Sequence, residues 1–191
     1  YFTGSDVLAS ALAMNKMQSW RHYRAVGLTV PEQVLLQVDD KMSAIAISYP
    51  FVVKPNALGS TIGVSLVKSQ EELAAALELA QKYGPEVVVQ QFIKGVEVTC
   101  GVLDDGNAAS ARALLPTEII PKHAALFDYD AKYLPDASDE ITPARLEQPI
   151  LKNIQDAAVR AHQILGCSGI SRSDFIVAKE GTVYLLETNT I

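Results

Sequence analysis

The chain has 191 residues, 49% of them hydrophobic and 20% charged, and its sixteen basic and twenty-two acidic side chains give a formal net charge of −6. That is enough chain for one large domain or two small ones with a real core, in the proportions of an ordinary globular protein. No stripe of Lys or Arg runs along it, which argues against nucleic acid or an anionic membrane as a partner, and no apolar run is long enough to span a bilayer.

Ser5 is a plausible N-cap for an apolar-periodic stretch, Val7 to Trp20, expected as one helix that ends near Gly27. Val34 to Gln37 reads as a short strand, and Met42 to Ser48 as weakly helical up to Pro50. Phe51 to Lys54 reads as a strand cut off by Pro55, followed by a small-residue loop from Asn56 to Gly63 and a strand from Val64 to Val67. Ser69-Gln70-Glu71-Glu72 resembles a capping box that opens a helix from Glu71 to Tyr83, ended by Gly84-Pro85. Val87 to Phe92 is a strongly apolar strand.

A second unit then begins, with the break expected near residues 92–97, dividing the chain into 1–92 and 93–191. Glu97 to Leu103 and Ala111 to Ile120 read as strands, the latter interrupted by Pro116, with a turn at Asp105-Gly106 or Gly106-Asn107. Residues 121–143 read as one long loop, of a length usually reserved for function or disorder. Gln148 to Leu165 is an amphipathic helix with Ile150, Ile154, Ala157, Ala158, Ala161 and Leu165 on one face, and Gly166 is its expected C′ residue. Strands Ser171 to Val177 and Val183 to Asn189, joined at Glu180-Gly181, close the chain. Helices and strands mix with several hairpins, so the expected class is α+β. Cys100 and Cys167 stand in no C-x-x-C pattern and are expected as buried thiols in a reducing cytoplasm rather than as a disulfide.

Four constellations can carry chemistry. Lys54 stands at a strand end before Gly59-Ser60-Thr61-Ile62-Gly63, where a lysine charge and backbone N–H groups approached past glycines could hold a phosphate; this is not a Walker A order, and a surface hairpin loop fits the spacing too. The strand ending in Gln90-Gln91-Phe92-Ile93 could offer polar groups to a purine, with Glu97 accepting from ribose hydroxyls, though a buried strand leading into a turn reads equally well. Alternation places Arg172 with Asp174, and Glu187 with Asn189, on the faces of adjacent strands. Oxygen ligands beside an arginine in an apolar neighbourhood suit a Mg²⁺–nucleotide site, the alternative being a cross-strand ion pair. Phe127 to Tyr133, with tyrosines and a lysine, could close over a nucleotide or form a plain polar loop. His22, His123 and His162 have no partner at ligand spacing, and no G-x-S-x-G element is present, so hydrolytic triads are not expected.

In this order the constellations resemble the D-alanine–D-alanine ligase family of ATP-grasp enzymes over essentially the whole chain. The resemblance rests on Thr3-Gly4-Ser5 with Leu8 to Lys16, Val53-Lys54-Pro55 with Gly59 to Val64, Phe92 to Glu97, Tyr129 to Tyr133, Gly166 to Gly169, Arg172 to Phe175 and Leu186 to Thr190. It implies an ATP-grasp fold with the nucleotide held between the sheets of two α+β units. It implies that Lys16 and Lys54 hold ATP phosphates, that Gln90, Gln91 and the Ile93 backbone frame adenine, that Glu97 binds ribose and that Lys132 lies over the phosphates. The family often carries glutamate, or glutamate then lysine, where Gln90-Gln91 stand. Asp174, Glu187 and Asn189 would hold Mg²⁺ (or Mn²⁺), two ions per site, Arg172 would stabilise the tetrahedral adduct, and Ser60 and Tyr133 would position the first D-alanine and close the site. Tyr133 favours a dipeptide product over a depsipeptide.

The implied function is ATP-dependent joining of two D-alanines through an acyl phosphate for peptidoglycan precursors, in the cytoplasm, with small molecules as partners and a homodimer left open. The alternatives are another ATP-grasp carboxylate–amine ligase and a non-catalytic nucleotide-binding module. The chain opens without methionine and stops straight after a strand-like run, so both ends read as cut. By the resemblance, an N-terminal domain and a segment beyond Ile191 complete the two D-alanine sites, and the 191-residue stretch alone is not expected to finish the reaction.

Overall fold

A computed structural model of the chain describes residues 3–37, 45–59, 61–122 and 138–191. Two antiparallel sheets organise it. The first has four strands in the order β1-β4-β2-β3, with β1 Gln33–Gln37, β2 Phe51–Pro55, β3 Ser65–Val67 and β4 Glu86–Gln91. The second runs β10-β9-β5-β7-β8, with β5 Gly95–Leu103, β7 Thr117–Pro121, β8 Ser138–Ile141, β9 Ile170–Ala178 and β10 Val183–Thr190; a short β6, Arg112–Ala113, pairs with β5. Among the described residues, α-helices pack on these sheets at α1 Val7–Met14, α2 Lys16–Ala25, α3 Gln70–Gln81 and α4 Gln148–Ile164. The class is α+β, as expected.

Each sheet has one dry face. On the first, Phe51, Val53, Val67, Val87 and Val89 meet Leu73, Ala76 and Ala80 of α3. On the second, Val98, Cys100, Val102, Phe175, Val177 and Leu185 meet Ile154, Ala157, Ala158, Ala161 and Leu165 of α4. Removing a ring such as Phe175, which is fully buried, would cost roughly 3–5 kcal/mol. Ala13, Tyr23 and Leu28 from the α1–α2 region also belong to this second core. A division of the chain at residue 92 therefore separates the two sheets but not the two cores. Only Phe92, Ile93 and Lys94 carry the chain from β4 to β5. At the join, a Cβ on Gly95 would lie 2.1 Å from the Val177 carbonyl oxygen, so no side chain fits there.

Several elements differ from the sequence reading. The helix expected over Val7 to Trp20 is two helices, and Asp6 rather than Ser5 caps the first, its Oδ1 accepting from Ala9 N–H at 2.8 Å. Asn15 adopts extended backbone between them; its N–H closes α1 on Ala11 O, and its Oδ1 caps α2 by accepting from Gln18 N–H at 3.0 Å. Pro55 lies within β2 instead of ending it, because β3 pairs only with Phe51 to Val53 and no ladder bond is lost beyond. The capping box does not form: the Ser69 side chain makes no cap bond, and Glu72 Oε2 accepts instead from Lys68 N–H, one residue before the cap, at 2.7 Å. Residues 45–48 are not helical, and 42–44 lie outside the described residues. The expected strand Ala111 to Ile120 is two strands, β6 and β7. The loop expected over 121–143 contains β8, a polar edge strand paired with β7; 123–137 lie outside the described residues.

Candidate functional site

The wet faces of the two sheets turn toward each other across a cleft of 680 Å³, well within the size of small-molecule sites. Lys54 stands on β2, two residues beyond Val52, the register partner of Gln90 on β4, so Lys54 and Gln90 share the cleft side of the first sheet. Lys16 reaches the same place from α2 because the double cap at Asn15 turns the chain there. The α2 N-terminus is pinned to the loop after β2: Lys16 N–H donates to Asn56 O at 3.0 Å, and Met17 N–H to Asn56 Oδ1 at 2.9 Å. The Lys16 ammonium donates to Leu58 O and lies 3.9 Å from Glu187 Oε2.

The opposite wall is the β9–β10 hairpin. Arg172 faces Asn189 and Asp174 faces Glu187 in register, with a β-bulge between Leu185 and Glu187. The bulge matters to the site. Leu185 points into the core, at 1% exposure, and so does Thr188, at 2%. With strict alternation Glu187 would share the core side of Leu185; the extra residue lets Leu186 and Glu187 both line the cleft. Asp174 accepts two hydrogen bonds from Arg172, at 3.0 and 3.1 Å, one from Thr99 Oγ1 at 2.8 Å and one from Asn189 Nδ2 at 3.1 Å. Behind them, on the core side, the Ser173 and Thr188 hydroxyls meet at 2.9 Å.

The electrostatics follow from partial burial. Burial pushes Lys54 down to about 8, against the attraction of Glu187 and with the repulsion of Lys16. Lys16 is lowered by burial, again opposed by Glu187. Burial raises Asp174, opposed by the hydrogen bonds and charge of Arg172. Two crowded cations therefore face a carboxylate pair, an arrangement that an anion and a divalent cation arriving together would relieve.

Of the residues singled out in the sequence, Lys16, Lys54, Gln90, Gln91, Ile93, Glu97, Asp174 and Glu187 line this one cleft. Arg172 and Asn189 stand beside it, linked through Asp174. Ser60, Lys132 and Tyr133 lie outside the described residues. Three contributors were missed. Thr99 shares the outward face of β5 with Glu97, a period-two signal that was available. Glu118 lines the cleft and is gripped by Arg145 at 2.9 and 2.7 Å, a pairing that only the fold creates. Gln33, the register partner of Gln90, gave no signal in the sequence.

His162 does have partners, contrary to the sequence reading. Its Nδ1 meets Ser171 Oγ and its Nε2 meets Asp104 Oδ2, each at 2.8 Å. The three side chains are sealed in the second core, with Ser171 and His162 at 0% exposure. No substrate can reach that hydroxyl, and the array is structural.

The donor set of Asp174, Glu187 and the Asn189 amide suits Mg²⁺, which takes one or two carboxylates and completes its shell with phosphates and water. Both cysteines are free and buried, and no described helix is long and apolar enough to cross a membrane.

A family model described as "D-ala D-ala ligase C-terminus" matches residues 23–191. The D-alanine--D-alanine ligases of Geotalea uraniireducens and Geobacter sulfurreducens are 46% and 43% identical to the chain over 192 residues, covering all of it and 60% and 58% of their own lengths. The chain thus spans about 60% of the curated relatives it matches. Among solved structures, the VanG D-Ala:D-Ser ligase from Enterococcus faecalis superposes with a TM-score of 0.85 at 34% identity, over 99% of this chain and 55% of that one. The D-alanine-D-alanine ligase from Coxiella burnetii gives 0.84 at 29% identity, over 99% and 50%.

Proposed function

Because the chain belongs to the D-alanine–D-alanine ligase C-terminal family, with the ATP-grasp fold, we propose that it is the nucleotide-binding body of an enzyme that joins two D-alanines at the expense of ATP. The observation that carries this reading is the meeting of Lys16 and Lys54 with Asp174 and Glu187 on one cleft. The elements that bring them together are far apart in sequence, and their charges suit a triphosphate with its metal.

The chemistry assigned to the site has two steps. A D-alanine carboxylate attacks the γ-phosphate of ATP; the bond from that phosphorus to the bridging oxygen breaks, leaving ADP and an acyl phosphate. The amine of a second D-alanine then attacks the acyl carbon and loses a proton as phosphate departs. A carboxylate is a poor acylating agent, and phosphorylation supplies its leaving group. Lys16 and Lys54 offset the phosphate charge. Gln90, Gln91 and Ile93 frame the purine, and Glu97 accepts from ribose. Arg172, anchored by Asp174, faces the negative charge that develops on the attacked acyl group. Asp174, Glu187 and Asn189 would hold Mg²⁺, which when bound neutralises the transferring phosphoryl group. Ser60, Lys132 and Tyr133 keep the roles that the family resemblance implies for them. Two unlinked buried thiols and an ATP-consuming reaction suit the cytoplasm.

The test is ADP release by the full-length protein with ATP and Mg²⁺, against D-alanine, D-serine and D-lactate in turn. D-alanine should stimulate release and yield the dipeptide. Release that no D-amino or D-hydroxy acid raises above the level with ATP alone would refute the ligase reading, and preferential use of D-serine would reassign the second substrate.

A further inference from the structure

Behind the cleft wall, four residues form one buried chain of hydrogen bonds. Lys54 Nζ donates to Gln90 Oε1 at 3.0 Å, Gln90 Nε2 donates to Gln33 Oε1 at 2.8 Å, and Gln33 Nε2 donates to the Lys16 carbonyl at 3.2 Å. Gln33 and Gln90 are 8% and 5% exposed, so water is no ready substitute partner. The direction of this chain is fixed at both ends. A backbone carbonyl can only accept, so Gln33 must present its NH₂ to Lys16 and its oxygen to Gln90. A protonated lysine can only donate, so Gln90 must present its oxygen to Lys54 and its NH₂ to Gln33. Neither amide can turn over without setting donor against donor or acceptor against acceptor in a buried place.

We propose that Gln33 is a specificity-determining residue: by holding the Gln90 NH₂, it turns the Gln90 carbonyl oxygen to the cleft and so selects a purine with a 6-amino group over one with a 6-oxo group. This rests on the reading of the cleft as a nucleotide site. A 6-amino group donates and matches the second lone pair of that oxygen; a 6-oxo group accepts and meets it with repulsion. Were the amide reversed, the preference would reverse with it. Lys54 pins the oxygen in the free protein, but a lysine engaged with phosphate releases it, and Gln33 is then the anchor that remains. The adjacent Gln91 has one lone pair of its Oε1 taken by Glu32 N–H at 3.2 Å.

The experiment measures dissociation constants of ATP and ITP, which differ at purine position 6, for the full-length protein by calorimetry. The wild type should prefer ATP. Gln33→Met, which keeps the length of the side chain and removes its hydrogen bonds, should shrink the ITP/ATP ratio by about tenfold, the worth of one well-placed hydrogen bond. If Gln33→Met does not fold, Gln33→Asn, which withdraws the amide by one methylene, should move the ratio in the same direction. A carboxylate has no wrong way round, so in a Gln90→Glu background the same change at residue 33 should leave the ratio where Gln90→Glu put it. Loss of affinity for both nucleotides in equal measure, or a wild type that binds them equally, overturns the assignment of Gln33. Failure of the wild type to bind either nucleotide instead overturns the nucleotide reading of the cleft itself.

Discussion

The molecule holds two buried polar clusters of opposite character. Asp104, His162 and Ser171 lie in or beside the second core, and their bonds close on themselves: Asp104 Oδ1 also accepts from Gly106 N–H at 2.8 Å and Gly169 N–H at 2.7 Å, and none of the three lines the large cleft. Lys54, Gln90, Gln33 and Lys16 form a chain of the same kind, but two ammonium groups stand at a cleft wall with a shared carboxylate opposite. Hydrogen-bond satisfaction alone does not separate a scaffold from a site. What separates them is whether charge is left facing a space.

The largest effect should come from breaking the closed cluster. Asp104→Ala leaves two backbone N–H groups and His162 without their acceptor in a dry place, and should lower unfolding stability by roughly 3–5 kcal/mol in urea. ATP affinity per folded molecule should stay within about twofold, since nothing in that array touches the cleft; a loss of affinity beyond that would erase the distinction between the clusters.

The open cluster should behave in the reverse way. Lys54→Met should weaken ATP binding by about a hundredfold, the scale of a charge-assisted hydrogen bond in a sheltered site. It should not destabilise the fold at neutral pH and should raise unfolding stability by roughly 2 kcal/mol, because it removes a charge whose burial lowers its pKa to about 8. A variant that unfolds more easily than wild type would mark Lys54 as scaffold.

The smallest effect is a pH dependence that sharpens the same contrast. The folded chain holds Lys54 near 8, below the ordinary lysine value of 10.5. Between these values the unfolded chain binds more protons, so wild-type stability should rise with pH across that window; the burial cost is fully present below 8. Over the same window, wild-type affinity for ATP should fall by up to about tenfold per pH unit, and that of Lys54→Met should fall less steeply, through Lys16 alone. Matched titrations of the two proteins read both slopes.

Much of this arrangement was legible in the sequence, for identifiable reasons. Strands dominated by β-branched residues, such as Val87 to Val89, and the strongly amphipathic α4 announce themselves because burial sets their pattern. Alternation within each strand, Arg172 with Asp174 and Glu187 with Asn189, could be read, but not the pairing of Asp174 with Glu187 across the hairpin. The bulge could not: nothing in Leu185-Leu186-Glu187 says that two successive residues will face the cleft. β8 was invisible because Ser138-Asp139-Glu140 carries no apolar alternation and its pairing with β7 depends on the rest of the sheet. Asn15 hid the division between α1 and α2, since an isolated asparagine inside an apolar stretch is weak evidence until its side chain is seen capping the next turn. Gln33 was unreadable for a different reason: its importance lies in what stands across from it.

Gly95 fixes how tightly the two halves are sewn together. With the Val177 carbonyl close over its Cα, the stretch Phe92-Ile93-Lys94 is a short strap tied at both ends, and its residues line the cleft. A methyl group added at 95 would be felt as slack or torsion in that strap before it was felt at Lys54 or Glu187. A substitution at the join would then reshape one end of the cleft while leaving the lysine and carboxylate walls in place.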